Sequence, residues 1–180
     1  MTRYAAFLRG VNVGGVNLKM AAVAEALQQV GFTNVTTILA SGNVLLDSRS
    51  ATAKVRKQAE QALRDEFGYD AWVLVYPVDA LAGISEAYPF EREVADHHSY
   101  VTFVSDDDVL AELAALADGP HPDEKVQLGD GVVYWQVPRS STLQSTIGKT
   151  MGKKRYKSST TTRNLRTINK VLRGPGMDVR

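Results

Sequence analysis

The sequence predicts an α+β protein of two subdomains. Residues 1–77 read as a ferredoxin-like βαββαβ unit, and residues 78–180 as a second, smaller α/β subdomain (βαββα plus a C-terminal helix) with a basic end. Three observations lead there. Short β-prone apolar runs alternate with segments of helical periodicity in the order β-α-β-β-α-β through Pro77. A similar β-α-β-β-α order recurs after it, without any sequence repeat. Turn residues sit where each element must end.

Residues 3–9 form a continuous apolar run, the pattern of a central strand. Asn17 is placed to cap a helix whose Met20, Val23, Leu27 and Val30 recur at helical spacing, and Gly31 to end it. Val35 to Ala40 and Val44 to Asp47 are strands joined by the Ser41-Gly42-Asn43 turn. Thr52 would cap a second helix with Val55, Ala59, Leu63 and Phe67 on one face, stopped by Gly68. Ala71 to Tyr76 is the fourth strand, closed by Pro77. In a βαββαβ unit the first two strands run parallel with the third between them. The loop after Arg9 and the Ser41-Gly42-Asn43 turn are then expected to be neighbours in space.

The second half opens with a short helix over residues 78–87 and an irregular acidic connection from Tyr88. Ser99 to Val104 is a strand, and Ser105-Asp106 caps a helix through Leu110, Leu113 and Leu116. Lys125 to Leu128 and Val132 to Val137 make a hairpin around Gly129-Asp130-Gly131. A helix from about Thr142 carries Leu143, Ile147 and Met151. Residues 148–162, rich in glycine, lysine and hydroxyls, read as an exposed loop. A last helix succeeds a Thr160-Thr161-Thr162 cap, with Leu165, Ile168 and Leu172 on one face and Arg163, Arg166, Lys170 and Arg173 on the other.

Composition is that of an ordinary globular protein. The absence of cysteine excludes disulfides, thiolate metal sites and a cysteine nucleophile. The N-terminus matches neither a signal peptide nor a spanning helix, so no membrane is expected and the cytoplasm is the expected compartment. A net charge of +1 hides a split: residues 1–138 carry 10 Lys/Arg against 19 Asp/Glu, and residues 139–180 carry 11 against 1. Such asymmetry points to an anionic partner at the C-terminal end, or to a basic tail docked on an acidic body.

The strand-loop-helix around Arg9-Gly10-Val11-Asn12-Val13-Gly14-Gly15 is a layout in which backbone N–H groups converge on an anion. Its glycines fall as G-x-x-x-G-G, which is not the dinucleotide fingerprint. Gly148-Lys149-Thr150 ends like a Walker loop, but Leu143 occupies the position of its first glycine. The structural alternative is a tight turn with Arg9 in an ion pair. His97 and His98 are adjacent and would point to opposite sides of an extended chain, and His121 lies between prolines. All three read as surface loop residues, no metal is expected, and Asp106-Asp107-Asp108 is explained by helix capping. No nucleophile elbow or catalytic triad is present, so catalytic residues are unknown. The stronger signal is basic. Lys153, Lys154, Arg155 and Lys157 surround Tyr156, and Arg166 and Lys170 come after them on the last helix. These are candidate nucleic-acid contacts, against the plain alternative of a solvated basic face.

With these blocks in view the chain resembles a bacterial family of uncharacterised proteins, the domain-of-unknown-function family 1697. The resemblance rests on Leu8-Arg9-Gly10-Val11-Asn12-Val13-Gly14-Gly15, on Ser41-Gly42-Asn43-Val44, and on Thr161-Thr162-Arg163-Asn164 with Thr167. It implies a ferredoxin-like first subdomain succeeded by a second α/β subdomain, and no established activity. The chain departs from the family pattern at Val16, where a lysine is common, at Ala40, where glutamine often stands, and at Leu165, where tryptophan is usual.

The resulting expectation is one anion-recognising cleft between the subdomains, needing no cofactor. Arg9, Asn12 and the Gly14-Gly15 backbone would form one side, Ser41 and Asn43 would add neutral hydrogen bonds, and Arg163 and Asn164 would complete it. Alternatively, Arg163 and Asn164 cap and lock the last helix. Three function classes stay open: a binder of nucleic acid or a phosphorylated ligand, an enzyme acting on a phosphorylated or nucleotide-like small molecule, and a protein-interaction module. Oligomeric state is not legible in the sequence.

Overall fold

The computed structural model describes residues 1–9, 17–115, 123–141, 145–151 and 153–174. The first half contains β1 (Thr2–Arg9), α1 (Met20–Gln29), β2 (Thr33–Ile38), β3 (Asn43–Ser48), α2 (Thr52–Phe67) and β4 (Trp72–Pro77). Its sheet has the order β2-β3-β1-β4, with every neighbouring pair antiparallel. β1 and β2 are therefore parallel with β3 between them, which is the ferredoxin-like arrangement expected from the element order.

Alternation along the strands places Tyr4, Ala6, Leu8, Val44, Leu46, Val73 and Val75 against Val23 and Leu27 of α1 and Val55, Ala59 and Leu63 of α2. The other face, with Ala5, Phe7, Leu45 and Leu74, is buried as well. Burial on both faces is why β1 reads as an unbroken apolar run. Two expected caps differ. Lys19, not Asn17, occupies the cap position of α1, and Thr52 is the first residue of α2, behind Ala51. Gly68 closes α2 at φ 65°, as its position predicts. Edge strand β4 is shielded: the carboxylate of Glu60 accepts the Val73 amide at 3.0 Å and an Arg56 N–H at 3.3 Å.

The second half contains α3 (Val78–Glu86), β5 (His97–Val104), α4 (Asp107–Leu113), β6 (Lys125–Leu128), β7 (Val132–Pro138), α5 (Thr146–Met151), β8 (Thr160–Asn164) and α6 (Leu165–Arg173). Its sheet, β6-β7-β5-β8, is also antiparallel throughout and repeats the strand order of the first. Asp106 caps α4, its carboxylate accepting the amides of Asp108 and Val109. The expected Leu116, Thr142 and Leu143 lie outside the described residues. The core gathers Val104, Leu113, Val133, Trp135, Val137, Ile147 and Tyr156.

One expectation is corrected. Residues 148–162 are not one exposed loop, and Thr160-Thr161-Thr162 is not a helix cap. α5 runs to Met151, Lys154–Tyr156 makes a 3-10 turn, and Thr160–Asn164 is a strand paired to β5. The strand carries no apolar side chain, so hydrophobic periodicity could not reveal it. Its threonines are β-formers whose hydroxyls are satisfied inside: Thr160 Oγ1 donates to Tyr156 O at 2.9 Å, and the Thr102 and Thr162 hydroxyls lie 2.7 Å apart. With β8 the second half becomes βαββαβ, like the first.

By internal contacts the chain separates into Met1–Ala82 with Asn169–Arg180, and Gly83–Ile168. Among the described residues no helix is long and apolar enough to cross a membrane.

Candidate functional site

In the first unit the end of β1 meets the start of β3. Phe7 pairs with Asn43, and the Leu8 amide donates to Gly42 O at 2.8 Å. The end of β1 thus adjoins the Ser41-Gly42-Asn43 turn; residues 10–16 of the loop expected to neighbour that turn lie outside the described residues. Arg9 faces Trp72 of β4 across the ladder. It is half-buried, and that burial holds its guanidinium below its ordinary pKa. Arginine stays charged at physiological pH, so a cation is kept partly out of water here. Trp72 is covered by the Arg64 guanidinium, 4.6 Å from the ring centre. Asn12, Gly14 and Gly15 lie outside the described residues.

The two polar turn residues divide their work. Asn43 is fully buried, and its amide nitrogen donates to Ile38 O and Ser41 Oγ, each at 2.9 Å. It holds the turn in shape. Ser41 is exposed.

In the second unit Arg163 and Asn164 end β8. Arg163 does not open the last helix; it pairs with Val101, is 8% exposed, and donates from Nη1 to Thr161 Oγ1 at 2.7 Å and Thr162 O at 2.9 Å. Asn164 is the cap expected of the threonines, its Oδ1 accepting the Arg166 amide at 2.8 Å. Leu165, Ile168 and Val171 form the buried stripe of α6, while Arg166, Lys170 and Arg173 are exposed. Leu165 is thus part of the buried interior.

The basic segment is displayed. Lys153, Lys154, Arg155 and Lys157 are exposed around the buried Tyr156. Arg155 pairs with Glu112 and lies 5.2 Å from the Tyr156 ring centre. Among the described residues Lys153, Lys154, Lys157, Arg166 and Lys170 make no ion pair.

Sequence reasoning missed His98. It lies in β5, which begins two residues earlier than expected, and not in a loop. Its Nδ1 is 2.8 Å from the Tyr100 hydroxyl, and the Tyr100 ring centre is 4.4 Å from that of Trp135. Burial, then the positive charges of Arg139 and Arg166, lower its pKa. The signal available was period two: His98, Tyr100 and Thr102 alternate along one strand face. Among the described residues no three His, Asp or Glu side chains gather as a metal-ligand set.

The fold and these polar strand ends define an α+β protein built from two similar four-stranded units. The chain belongs to the family described as proteins of unknown function (DUF1697), whose sequence model matches residues 1–134. The blocks at Arg9 and at Ser41 fall within the match, and the Arg163 block beyond it. No curated protein matches the chain. Among solved structures it is similar to the conserved bacterial protein SP0830 from Streptococcus pneumoniae, with 23% identity and a TM-score of 0.80. The likeness covers 96% of this chain and 97% of that one, and at this identity it speaks for the fold alone.

Proposed function

We propose that the protein binds phosphate-bearing ligands, with nucleic acid as the principal class. One observation carries this reading. Lys153, Lys154, Lys157, Arg166 and Lys170 are exposed and have no acidic partner among the described residues. A basic tail docked on an acidic body would be expected to spend such charges on carboxylates; here only Arg155 is paired, with Glu112, among the six basic contact candidates. Unpaired cations on a surface attract phosphates and release counterions on binding, which makes affinity strongly salt-dependent. Arg9 and Ser41 are the contacts of the first unit, joined by Asn12, Gly14 and Gly15. Asn43, Arg163 and Asn164 serve by holding the turn and the start of α6.

The test is a titration of labelled single-stranded RNA and duplex DNA across salt, with a Lys153→Ala/Lys154→Ala/Lys157→Ala variant alongside. Those side chains are exposed, so the variant is expected to fold. Salt-steep binding weakened in the variant supports the reading. Absence of binding at low salt removes the nucleic-acid class.

A further inference from the structure

We propose that the nucleic acid taken by the basic segment of the second unit is a double helix, held through its phosphates without contact to the bases. The proposal rests on the nucleic-acid reading above and names the form of nucleic acid that this surface recognises.

Proteins hold single strands with two devices: a basic surface for the backbone, and aromatic rings on which successive unpaired bases stack. The first is present. Lys149, Lys153, Lys154 and Lys157 are exposed, and none makes an ion pair among the described residues. They fall between α5 and the end of the 3-10 turn, so the chain itself keeps them within about 29 Å of one another.

The second device is not offered. The two tryptophans, seven tyrosines and five phenylalanines all lie within the described residues, and not one is exposed. The half-buried rings are each taken. Phe67 and Tyr69 pack on the first core, and Tyr76 lies against Phe7. Phe90 and Tyr88 meet edge to face, and the Tyr100 ring centre is 4.4 Å from that of Trp135. Arg64 covers Trp72. Within the segment itself, Tyr156 is buried in the second core with Arg155 over its ring.

Base edges are no better served. Reading them in the major groove takes a helix or a two-stranded ribbon whose side chains pair with the bases, Arg, Asn and Gln prominent among them. The segment presents ammonium groups on a six-residue helix and a 3-10 turn. Arg155 is spent on Glu112, and Asn164 Oδ1 on the Arg166 amide. A lysine ammonium is a point charge on a flexible stem, suited to phosphates wherever they lie.

Charge without stacking favours the duplex. A duplex carries one phosphate per ~1.7 Å of axis and releases about 0.9 counterion for each one neutralised, against about 0.7 for a single strand. Contacts from the four lysines then differ by about 0.8 in the slope of log affinity against log salt, a gap that grows to roughly sixfold in affinity between about 1 M and about 0.1 M salt. Unpaired bases, with no ring to stack on, do not offset it.

The experiment measures the anisotropy of labelled probes on the full chain across salt. The probes are a mixed-sequence DNA duplex, each of its strands, an RNA duplex of the same sequence, and all-A·T and all-G·C duplexes. The duplex is expected to bind roughly sixfold tighter than either strand at about 0.1 M salt, and the A·T and G·C duplexes to agree within about twofold. The tighter of the DNA and RNA duplexes identifies which helix is the source. Replacing Lys149, Lys153, Lys154 and Lys157 together by arginine keeps the charges and should keep duplex binding. Replacing them by alanine should lose it, with far-UV spectrum and melting point retained in both variants. Duplex binding that survives the alanine changes overturns the assignment to this segment. A strand that binds as tightly as its duplex, or an A·T against G·C difference beyond about fivefold, overturns the proposal and leaves the nucleic-acid reading standing. Binding of no probe at low salt overturns that reading and the proposal with it.

Discussion

The amide of Leu8 donates to the carbonyl of Gly42 at 2.8 Å, and Val104 repeats that bond on Gly131 at 2.9 Å in the second unit. In both, the end of the central strand is tied to a glycine that immediately precedes the neighbouring strand, with φ of 91° and 71°. The connections beyond these two joints differ. Only Ser105 and Asp106 separate β5 from α4, whereas residues 10–19, including the glycine run, separate β1 from α1. The same joint is followed by a two-residue capped link in one half and by ten residues of sequence in the other. Long connecting segments are where function concentrates.

Gly42→Ala and Gly131→Ala should each lower stability by about 1–2 kcal/mol, because a Cβ strains the left-handed backbone. Denaturant melts measure that cost. Only Gly42→Ala should also weaken anion binding, since only its joint lies at the strand end that carries Arg9. Equal binding by both variants would count against a role for that loop.

Asn43 and Ser41 should separate stability from affinity. Asn43→Ala leaves Ile38 O without its donor inside the turn, and the variant should lose roughly 1–3 kcal/mol. Ser41 is exposed but its Oγ accepts from the buried Asn43 amide, so Ser41→Ala should cost about 0.5–1.5 kcal/mol, less than Asn43→Ala, while lowering affinity for phosphate-bearing ligands. Paired chemical denaturation and ligand titration distinguish the two. A Ser41→Ala variant that binds as well as the parent would leave the turn purely structural.

The first unit is legible almost completely, because its strands are apolar and its helices amphipathic. Tyr4 to Leu8 and the Val55, Ala59, Leu63 stripe announce themselves by period alone. The caps are less legible, since Asn17 and Thr52 have the right chemistry but do not stand at the cap positions, which Lys19 and Ala51 hold. β8 is hidden because Thr160 to Asn164 is polar and is buried through hydroxyl and guanidinium hydrogen bonds. Arg163 consequently reads as a helix residue facing solvent. His98 is hidden for a related reason: Tyr100 alternates with it in a strand whose apolar pattern starts two residues late, and Arg166 is distant in sequence. Polar residues carry no periodic signal of burial, so a polar site inside a strand is legible only after the sheet register is known.

The basic segment makes a graded prediction. For a single-stranded ligand each phosphate neutralised contributes about 0.7 to the slope of log affinity against log salt. Removing Lys153, Lys154 and Lys157 together should flatten that slope by up to about 2 and weaken binding similarly across sequences. Arg155→Ala should change it less, because Arg155 already pairs with Glu112. Fluorescence anisotropy over a range of salt gives both slopes. A larger effect from Arg155 than from the lysines would reverse the assignment.

Stability should fall on the alkaline side, and the tyrosines set where. Burial raises the pKa of Tyr76, Tyr69, Tyr88 and Tyr134, Tyr76 most strongly despite the nearby Arg56 charge. Hydrogen bonds with Ser99 and Gln136 and the Arg92 charge hold the rise of Tyr88 back. An unfolded tyrosine ionises near about pH 10, so above that pH the unfolded chain releases protons that the folded chain retains. The contribution is therefore complete below pH ~10 and is lost as pH rises through the folded values. Urea melts between pH 8 and about pH 11 should show unfolding free energy declining from near pH 10. Tyr76→Phe removes the most strongly raised of these ionisations and should flatten the decline relative to the parent, whatever the variant's stability at neutral pH. An unchanged alkaline slope in that variant would mean that Tyr76 does not resist ionisation in the folded state.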